Sequence, residues 1–108
     1  GRREQASMGG GARADYERTK RFVVAEIKAA RIALAAAQKA VKTADQRLAA
    51  ANEQFELSRK SYALGEISAF DLYRVRQIQL EAQRMQATAS VSVGAAVSRL
   101  NQAQGYAP

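Results

Sequence analysis

The sequence predicts an all-α protein, a long antiparallel coiled-coil hairpin made of two helices. Three observations predict it. Apolar residues recur in alternating steps of four and three along most of the 108 residues, which is the spacing of a coiled coil. A signal that ends one helix and begins another lies near the middle of the chain. When the chain is folded at that signal, apolar positions of similar size in the two arms face each other.

The first eleven residues are predicted to be a lead-in to the first helix. Gly9-Gly10-Gly11 lowers helix propensity by about 1 kcal/mol per glycine relative to alanine, so a flexible segment is one interpretation. The alternative is a helix that begins earlier and tolerates the glycines. The opening Gly1-Arg2-Arg3-Glu4 indicates a piece of a longer protein.

The first long helix is predicted over residues 12–64, where no proline interrupts the chain. One seam of apolar or small residues runs through it, with larger side chains recurring every seven residues and alanine or serine at most of the positions between them. The seam consists of Val23, Ile27, Ala30, Leu34, Ala37, Val41, Ala44, Leu48, Ala51, Phe55, Ser58 and Tyr62. Small residues in such a seam let two helix backbones approach closely.

The hairpin tip is predicted at residues 65–68. Gly65 can adopt the left-handed conformation that ends a helix. Ser68 is a good N-cap for the next helix, and Asp71 three residues later completes a capping box. Ile67 and Leu72 can form the hydrophobic staple beside this cap. So short a connection makes the two helices antiparallel.

The second helix is predicted over residues 69–105, followed by a tail at residues 106–108. Its seam is read as two segments that are offset by one residue: Val75, Ile78, Ala82, Met85 and Ala89, then Val93, Ala96, Leu100 and Ala103. Folding the chain at the tip pairs large residues with large and small with small. The expected pairs are Phe55 with Ile78, Leu48 with Met85, Ala51 with Ala82, Ala44 with Ala89, Ala37 with Ala96 and Ala30 with Ala103.

Each helix also carries a second stripe of apolar or small residues outside the seam. On the first helix it consists of Phe22, Ala25, Ala29, Ile32 and Ala36, continued by Thr43, Ala50, Leu57 and Leu64; on the second, of Tyr73, Leu80, Ala87 and Gly94, with Val97 nearby. One interpretation is a broad alanine-rich face without a partner. The other is that each helix packs on two flanks, as in a ring of about a dozen helices. On either interpretation the isolated hairpin exposes apolar surface and is expected to self-associate.

The composition argues against an enzyme. The chain has no histidine and no cysteine, which removes the commonest general base and the common transition-metal ligands. We therefore expect no catalytic residues, no cofactor and no metal site. The formal net charge is +7, but the basic residues spread over the whole length and do not cluster with aromatic residues as on a nucleic-acid-binding surface; a solvated face explains them better. Arg74 and Arg76, one turn past the tip, are the only basic pair placed where a partner would meet it.

The tip residues also resemble a known family. In the run from Phe55 to Leu72, a tyrosine, a glycine, a serine, an aspartate and a leucine follow at fixed spacing: Tyr62, Gly65, Ser68, Asp71 and Leu72. This pattern resembles the signature of the TolC-like outer-membrane efflux proteins. The second arm, its closing run Arg99-Leu100-Asn101-Gln102-Ala103-Gln104-Gly105 and the opening Gly1-Arg2-Arg3 resemble that family too. The resemblance covers the whole chain as one of the family's two helical hairpins, the second.

The resemblance implies a fragment of an α-helical barrel. The full protein would be a trimer with a β-barrel in the outer membrane and this hairpin in the periplasmic part, serving a tripartite efflux pump or type I secretion system. The hairpin tips would form the periplasmic aperture and dock onto the periplasmic adaptor (membrane fusion) protein, which links the channel indirectly to the inner-membrane pump. The residues that would carry adaptor contact are Leu64, Gly65, Glu66, Ile67 and Ser68.

The resemblance also implies two aperture candidates. Asp71 falls where family members can place an acid that lines the aperture, although it is equally well explained as a helix cap. Arg74 falls where some members place a second acid, and this departure argues against an acidic double ring. The glutamine-rich second arm and its ending resemble heavy-metal cation efflux members most.

The leading hypothesis is therefore a periplasmic hairpin that acts in passive transport through a channel and in docking, without nucleic acid as a partner. The alternative is a stand-alone antiparallel coiled-coil arm that binds RNA or DNA through its arginines. Salt separates the two, because binding to nucleic acid weakens steeply as the salt concentration rises.

Overall fold

The protein is a hairpin of two long helices in a computed structural model that describes residues 2–105, with side chains described from Gly11 onward. Helix α1 spans Arg2–Ala63 and helix α2 spans Ala69–Gly105. They pack against each other along an elongated body of 93 × 20 × 13 Å. The predicted all-α helical hairpin is confirmed.

The bounds of α1 differ from the predicted 12–64 mostly at the start of the chain, and its end lies one residue earlier, at Ala63. Helix α1 begins at Arg2 rather than near Ala12, so Gly9-Gly10-Gly11 lies inside a helix, as in the alternative interpretation. Glycine lowers helix propensity but keeps its backbone N–H, and so it does not break a helix as proline does. Helix α2 begins and ends where predicted. The predicted tail at residues 106–108 lies outside the described residues.

The C-terminus of α1 ends in a Schellman motif. Gly65 has a positive φ of 73°, a conformation that glycine adopts without a Cβ penalty. The backbone N–H of Glu66 donates to the carbonyl of Ser61 at 2.9 Å, and that of Gly65 donates to the carbonyl of Tyr62 at 3.0 Å. The predicted stop signal is thus confirmed by its backbone hydrogen bonds.

The N-terminus of α2 carries the predicted capping box. The backbone N–H of Asp71 donates to Oγ of Ser68 at 3.1 Å, and the backbone N–H of Ser68 donates to Oδ2 of Asp71 at 3.3 Å. Two N–H groups that a helix leaves unpaired are satisfied reciprocally in this way. Ile67 and Leu72 are both half-buried, as the predicted staple requires.

The seam of α1 lies where the sequence predicts it. Ala30, Ala44, Ala51 and Ser58 are buried, and the larger seam residues from Val23 to Phe55 are half-buried. Tyr62 is an exception, because it is exposed. It lies in the last turn of α1, level with the start of α2, where little of the second helix remains to cover it.

The seam of α2 differs from the prediction in the half near the tip. Ile78 is 63% exposed and Met85 is 42% exposed, whereas Gln79 is only 8% exposed and Gln86 is half-buried. The expected pairs of Phe55 with Ile78 and of Leu48 with Met85 are therefore wrong. The observed seam keeps one heptad register without an offset: Leu72, Val75, Gln79, Ala82, Gln86, Ala89, Val93, Ala96, Leu100 and Ala103.

A continuous register has a physical reason. An offset within a coiled coil requires local unwinding or overwinding of the helix, and α2 avoids it by placing glutamines in the seam. Both amide groups reach the opposite helix. Nε2 of Gln79 donates to Oδ1 of Asn52 at 2.9 Å, and Nε2 of Gln86 donates to Oδ1 of Asp45 at 3.1 Å. In each pair the two residues lie equally far along the sequence from the Gly65–Glu66 bond. The chain therefore folds back close to the position that the sequence predicts.

Candidate functional site

The tip presents apolar side chains on a rigid backbone. Leu64 is 74% exposed, and Phe70 in the first turn of α2 is also exposed. The Schellman motif and the capping box fix the chain on either side of them. Leu64, Gly65, Glu66 and Ser68 are exposed together, and Ile67 is half-buried beneath them. The sequence-predicted tip residues therefore form one contiguous surface at the end of the molecule.

The two aperture candidates have local partners. The carboxylate of Asp71 accepts the capping hydrogen bond from Ser68 described above, which accounts for an acid at this position. The guanidinium of Arg74 lies 6.0 Å from the centre of the Phe70 ring, within reach of a cation–π interaction. Both side chains remain exposed, and so both are accessible to a partner at the tip.

Behind the tip lies a polar cluster that the sequence reasoning missed. The guanidinium of Arg76 lies 5.3 Å from the centre of the Phe55 ring, and its Nη1 donates to Oε1 of Gln79 at 2.5 Å. Gln79 in turn donates to Asn52 on α1. The signal that could have revealed the cluster is the unbroken heptad from Leu72 to Ala103, in which Gln79 is a seam position.

The hairpin has two unlike broad faces. On one of them, which we call the grooved face, the two helices border an open groove. Its walls are Arg47, Ala50 and Gln54 from α1 and Gln77, Ile78, Glu81 and Met85 from α2, above Ala51 and Ala82. On the opposite face lie Asp45 and Asn52, which accept the hydrogen bonds from α2.

The second stripes follow the outer edges of the hairpin. On α1, Phe22, Ile32, Leu57 and Leu64 are exposed, and the stripe leans toward the grooved face, since Phe22 and Ala50 line hollows there. On α2, Tyr73 is exposed and the stripe leans toward the opposite face by its heptad position. The α1 edge of one copy and the α2 edge of another are thus both apolar.

Three local, solvent-exposed salt bridges join charged side chains in the part of the chain whose side chains are described. Arg18 pairs with Asp15 at 2.6 Å, Arg59 with Glu56 at 3.1 Å and Arg84 with Glu81 at 3.8 Å. All three join residues three apart on one helix, and such exposed pairs contribute little to stability. They are distributed over the length of the hairpin and do not build a single basic surface.

No metal-binding group of three or more His, Cys, Asp or Glu side chains is found in the described part of the chain. Likewise, none of the helices over the described residues is both long and apolar enough to cross a lipid bilayer. Comparison with protein-family models, with characterised proteins and with solved structures finds no match to this chain.

Proposed function

We propose that this chain is the periplasmic hairpin of an outer-membrane channel protein in a tripartite efflux or type I secretion system. Its helices contribute to the channel wall, and its tip docks onto a periplasmic adaptor protein. It acts by passive transport and by docking, without catalysis.

The observation that carries this proposal is the construction of the tip. Two large apolar side chains are presented outward there, Leu64 directly after α1 and Phe70 in the first turn of α2. The flanking caps hold them in one conformation, so little conformational entropy is lost when a partner binds. A preorganised apolar tip is suited to tip-to-tip contact with another helical hairpin.

The apolar outer edges of the hairpin support the proposal that its helices contribute to the channel wall. An α1 edge that packs on the α2 edge of the next copy makes a heterologous contact, which generates a ring when the rotation between copies closes and an open array otherwise. In the full-length trimer proposed here, the other hairpin of each protomer would take the place of the next copy, and such edge-to-edge contacts would close the barrel. Exposed residues such as Ile32 on α1 and Tyr73 on α2 would then be buried between hairpins.

Within this proposal Asp71 has two compatible roles. Its backbone-directed hydrogen bond caps α2, and its exposed carboxylate adds negative charge at the aperture. Arg74 lies one turn further along α2 and places positive charge near it. The aperture would therefore present both signs of charge, which does not favour strong selection for cations.

The experiment that tests the proposal replaces Gly65 with valine in the full-length channel protein. A β-branched residue in the left-handed conformation costs about 1–2 kcal/mol, so the tip is expected to change its backbone while both helices persist. We expect adaptor crosslinking and substrate efflux to fall by up to about tenfold, since 1.4 kcal/mol corresponds to a factor of ten.

The matched control is Gly11→Val, the same chemical change within helix α1. A Cβ at Gly11 meets no atom within 4 Å, and its φ is not positive, so efflux and adaptor crosslinking should stay near the wild-type values. Normal efflux and normal adaptor crosslinking in the Gly65→Val channel would show that the tip is not the docking surface.

The alternative function, a nucleic-acid-binding arm, is less well supported, because Arg18, Arg59 and Arg84 pair with neighbouring acids and Arg74 and Arg76 lie against phenylalanine rings. Titration with duplex and single-stranded oligonucleotides at two salt concentrations distinguishes the two functions. Micromolar binding that weakens steeply with salt would support the arm.

A further inference from the structure

The grooved face is an open apolar surface that continues along the hairpin. Toward the open end of the hairpin the groove extends past Arg47 and Met85 to Ala36, Ala40, Thr43 and Ala89. A further apolar hollow lies on the same face, bordered by Phe22 and Val23 from α1 and by Arg99, Gln102 and Ala103 from α2. The face therefore carries two separate open stretches, one on either side of the gap between Ala36 and Val23, rather than one isolated pocket.

The side chains of α2 are arranged as if this face were covered. Ile78 and Met85 point away from the seam toward the groove, while Gln79 and Gln86 occupy the seam. In a hairpin without a partner, the reverse arrangement would bury more apolar surface. Large apolar side chains that remain on a surface beside a groove mark an interaction site.

We propose that the grooved face binds the grooved face of a second copy of this chain, giving a parallel four-helix bundle in which α2 of each copy lies over α1 of the other. This pairing is argued from the groove alone and does not rest on the proposed function, although Ala36, Thr43 and Ala50 of the groove also belong to the α1 stripe that a channel wall would use. A two-fold axis parallel to the long axis relates the two copies, and such an interface uses the same surface on both.

The sizes of the side chains favour a second copy as the partner. The α1 wall of the groove consists of small residues, with Ala36, Ala40, Thr43 and Ala50, whereas the α2 wall carries Ile78 and Met85. When α2 lies over the α1 of the other copy, each large side chain meets a depression formed by small ones. This is the packing of knobs into holes that stabilises coiled-coil bundles.

The charges along the groove favour the parallel orientation. Arg47 on α1 and Glu81 on α2 lie at one level, and Glu26 on α1 and Arg99 on α2 lie at another. In the parallel pair each of these residues meets the opposite charge on the other copy. An antiparallel pair centred on Ile78 and Met85 would instead bring Arg47 of one copy near Arg47 of the other. It would likewise bring the two Glu81 side chains together, so that like charges would meet.

The face is large enough for a stable dimer. From Phe22 to Gln54 it runs along α1 for ~50 Å at 1.5 Å per residue, and the hairpin is 20 Å wide. This gives about 1,000 Å² per copy, compared with roughly 800 Å² per partner in an interface of standard size.

Sedimentation equilibrium of two matched variants tests which surface is used. Ile78→Lys places a charge in the groove, and Val91→Lys places the same charge on α2 outside the groove, at a position that is 73% exposed. We expect the wild type to form a two-copy species, Ile78→Lys to weaken its association at least tenfold, and Val91→Lys to change it less than twofold. Circular dichroism should report the same helicity for all three chains.

Two results would overturn the inference. A wild-type chain that stays monomeric at 100 µM would show that the grooved face does not bind a second copy. If Val91→Lys abolishes association and Ile78→Lys does not, the copies contact each other along the outer edge and not through the groove. This second result would leave the channel proposal intact. The Gly65→Val variant tests that proposal separately.

Disulfide crosslinking tests the orientation, because the chain has no cysteine of its own. We expect a mixture of Ala50→Cys and Ile78→Cys chains to give mainly the mixed dimer on oxidation. Dominant linkage of Ala50→Cys chains to each other would show the antiparallel pair and contradict the inference. An Arg47→Glu, Glu81→Arg double variant should associate better than either single variant.

Discussion

The seam near the tip and the seam near the open end of the hairpin are built from different chemistry. Near the tip, Gln79 and Gln86 enter the seam and donate hydrogen bonds to Asn52 and Asp45 on the opposite helix. Near the open end, the buried seam residues are alanines, with Ala30 completely buried. The first half is held in register by directional bonds and the second half by close contact of backbones.

This difference explains how a thin hairpin maintains one register. Alanine layers can shift along each other at little cost, because each layer resembles the next. A polar side chain in a coiled-coil seam fixes the register, at some cost in stability, since an amide left without its partner is penalised. The glutamine layers near the tip therefore set the register that the alanine layers follow.

The largest effect is expected from overfilling an alanine layer. Ala30→Leu inserts a large side chain where the exposed fraction is 0%, and overpacking a well-packed site costs about 1–3 kcal/mol. We expect the free energy of unfolding in urea to fall by about 3 kcal/mol. Ala35→Leu is the control, because Ala35 is exposed on the same helix and should change stability by less than about 0.5 kcal/mol.

If Ala30→Leu left the free energy of unfolding unchanged, the contrast between the two halves of the seam would be weaker. If its urea midpoint matched that of Ala35→Leu, the alanine layers would not be closely packed, and the contrast between the two halves of the seam would rest on the glutamines alone.

A smaller effect is expected from the buried glutamine layer. Gln79→Ala removes the bond to Asn52, and a hydrogen bond contributes about 0.5–1.5 kcal/mol. Gln86→Ala removes a more exposed bond and should cost less. A double-mutant cycle of Asn52→Ala and Gln79→Ala measures the coupling directly, and the comparison predicts a coupling of about 1 kcal/mol. Additive effects would mean that the bond does not fix the register.

The smallest effect is expected at the tip cap. Ser68→Ala removes the side-chain oxygen that accepts the N–H of Asp71, and loss of an N-cap costs about 1 kcal/mol. Ser68→Asp keeps an acceptor and should restore most of the stability. Thermal unfolding followed by circular dichroism measures both. Equal loss in the two variants would indicate that the cap contributes nothing and that the register is fixed by the seam alone.

The sequence was sufficient for the hairpin, the tip and the seam of α1. Gly65, Ser68 and Asp71 act through contacts with their chain neighbours, and local contacts can be read from local sequence. The tip half of α2 could not be read in the same way. A ranking by hydrophobicity prefers Ile78 over Gln79, and the favourable hydrogen bond to Asn52 depends on a residue in the other arm.

The candidate site was predictable to the same degree. The tip residues follow from the caps, so their exposure together at one end of the molecule was foreseeable. The grooved face was not, because it results from the position of Ile78 and Met85 outside the seam. That position is decided by the pairing of two distant segments and by the cost of an offset in the coiled coil.

The tip has a consequence for the order of folding. Its hydrogen bonds join residues at most five apart, whereas Asn52 and Gln79 are 27 residues apart and Asp45 and Gln86 are 41 apart. The entropy of closing a loop rises with its length, so the turn can form first and each layer then shortens the loop that the next layer must close. We expect the two arms to zip from Gly65 outward, with the register already chosen at the glutamine layers before the alanine layers meet.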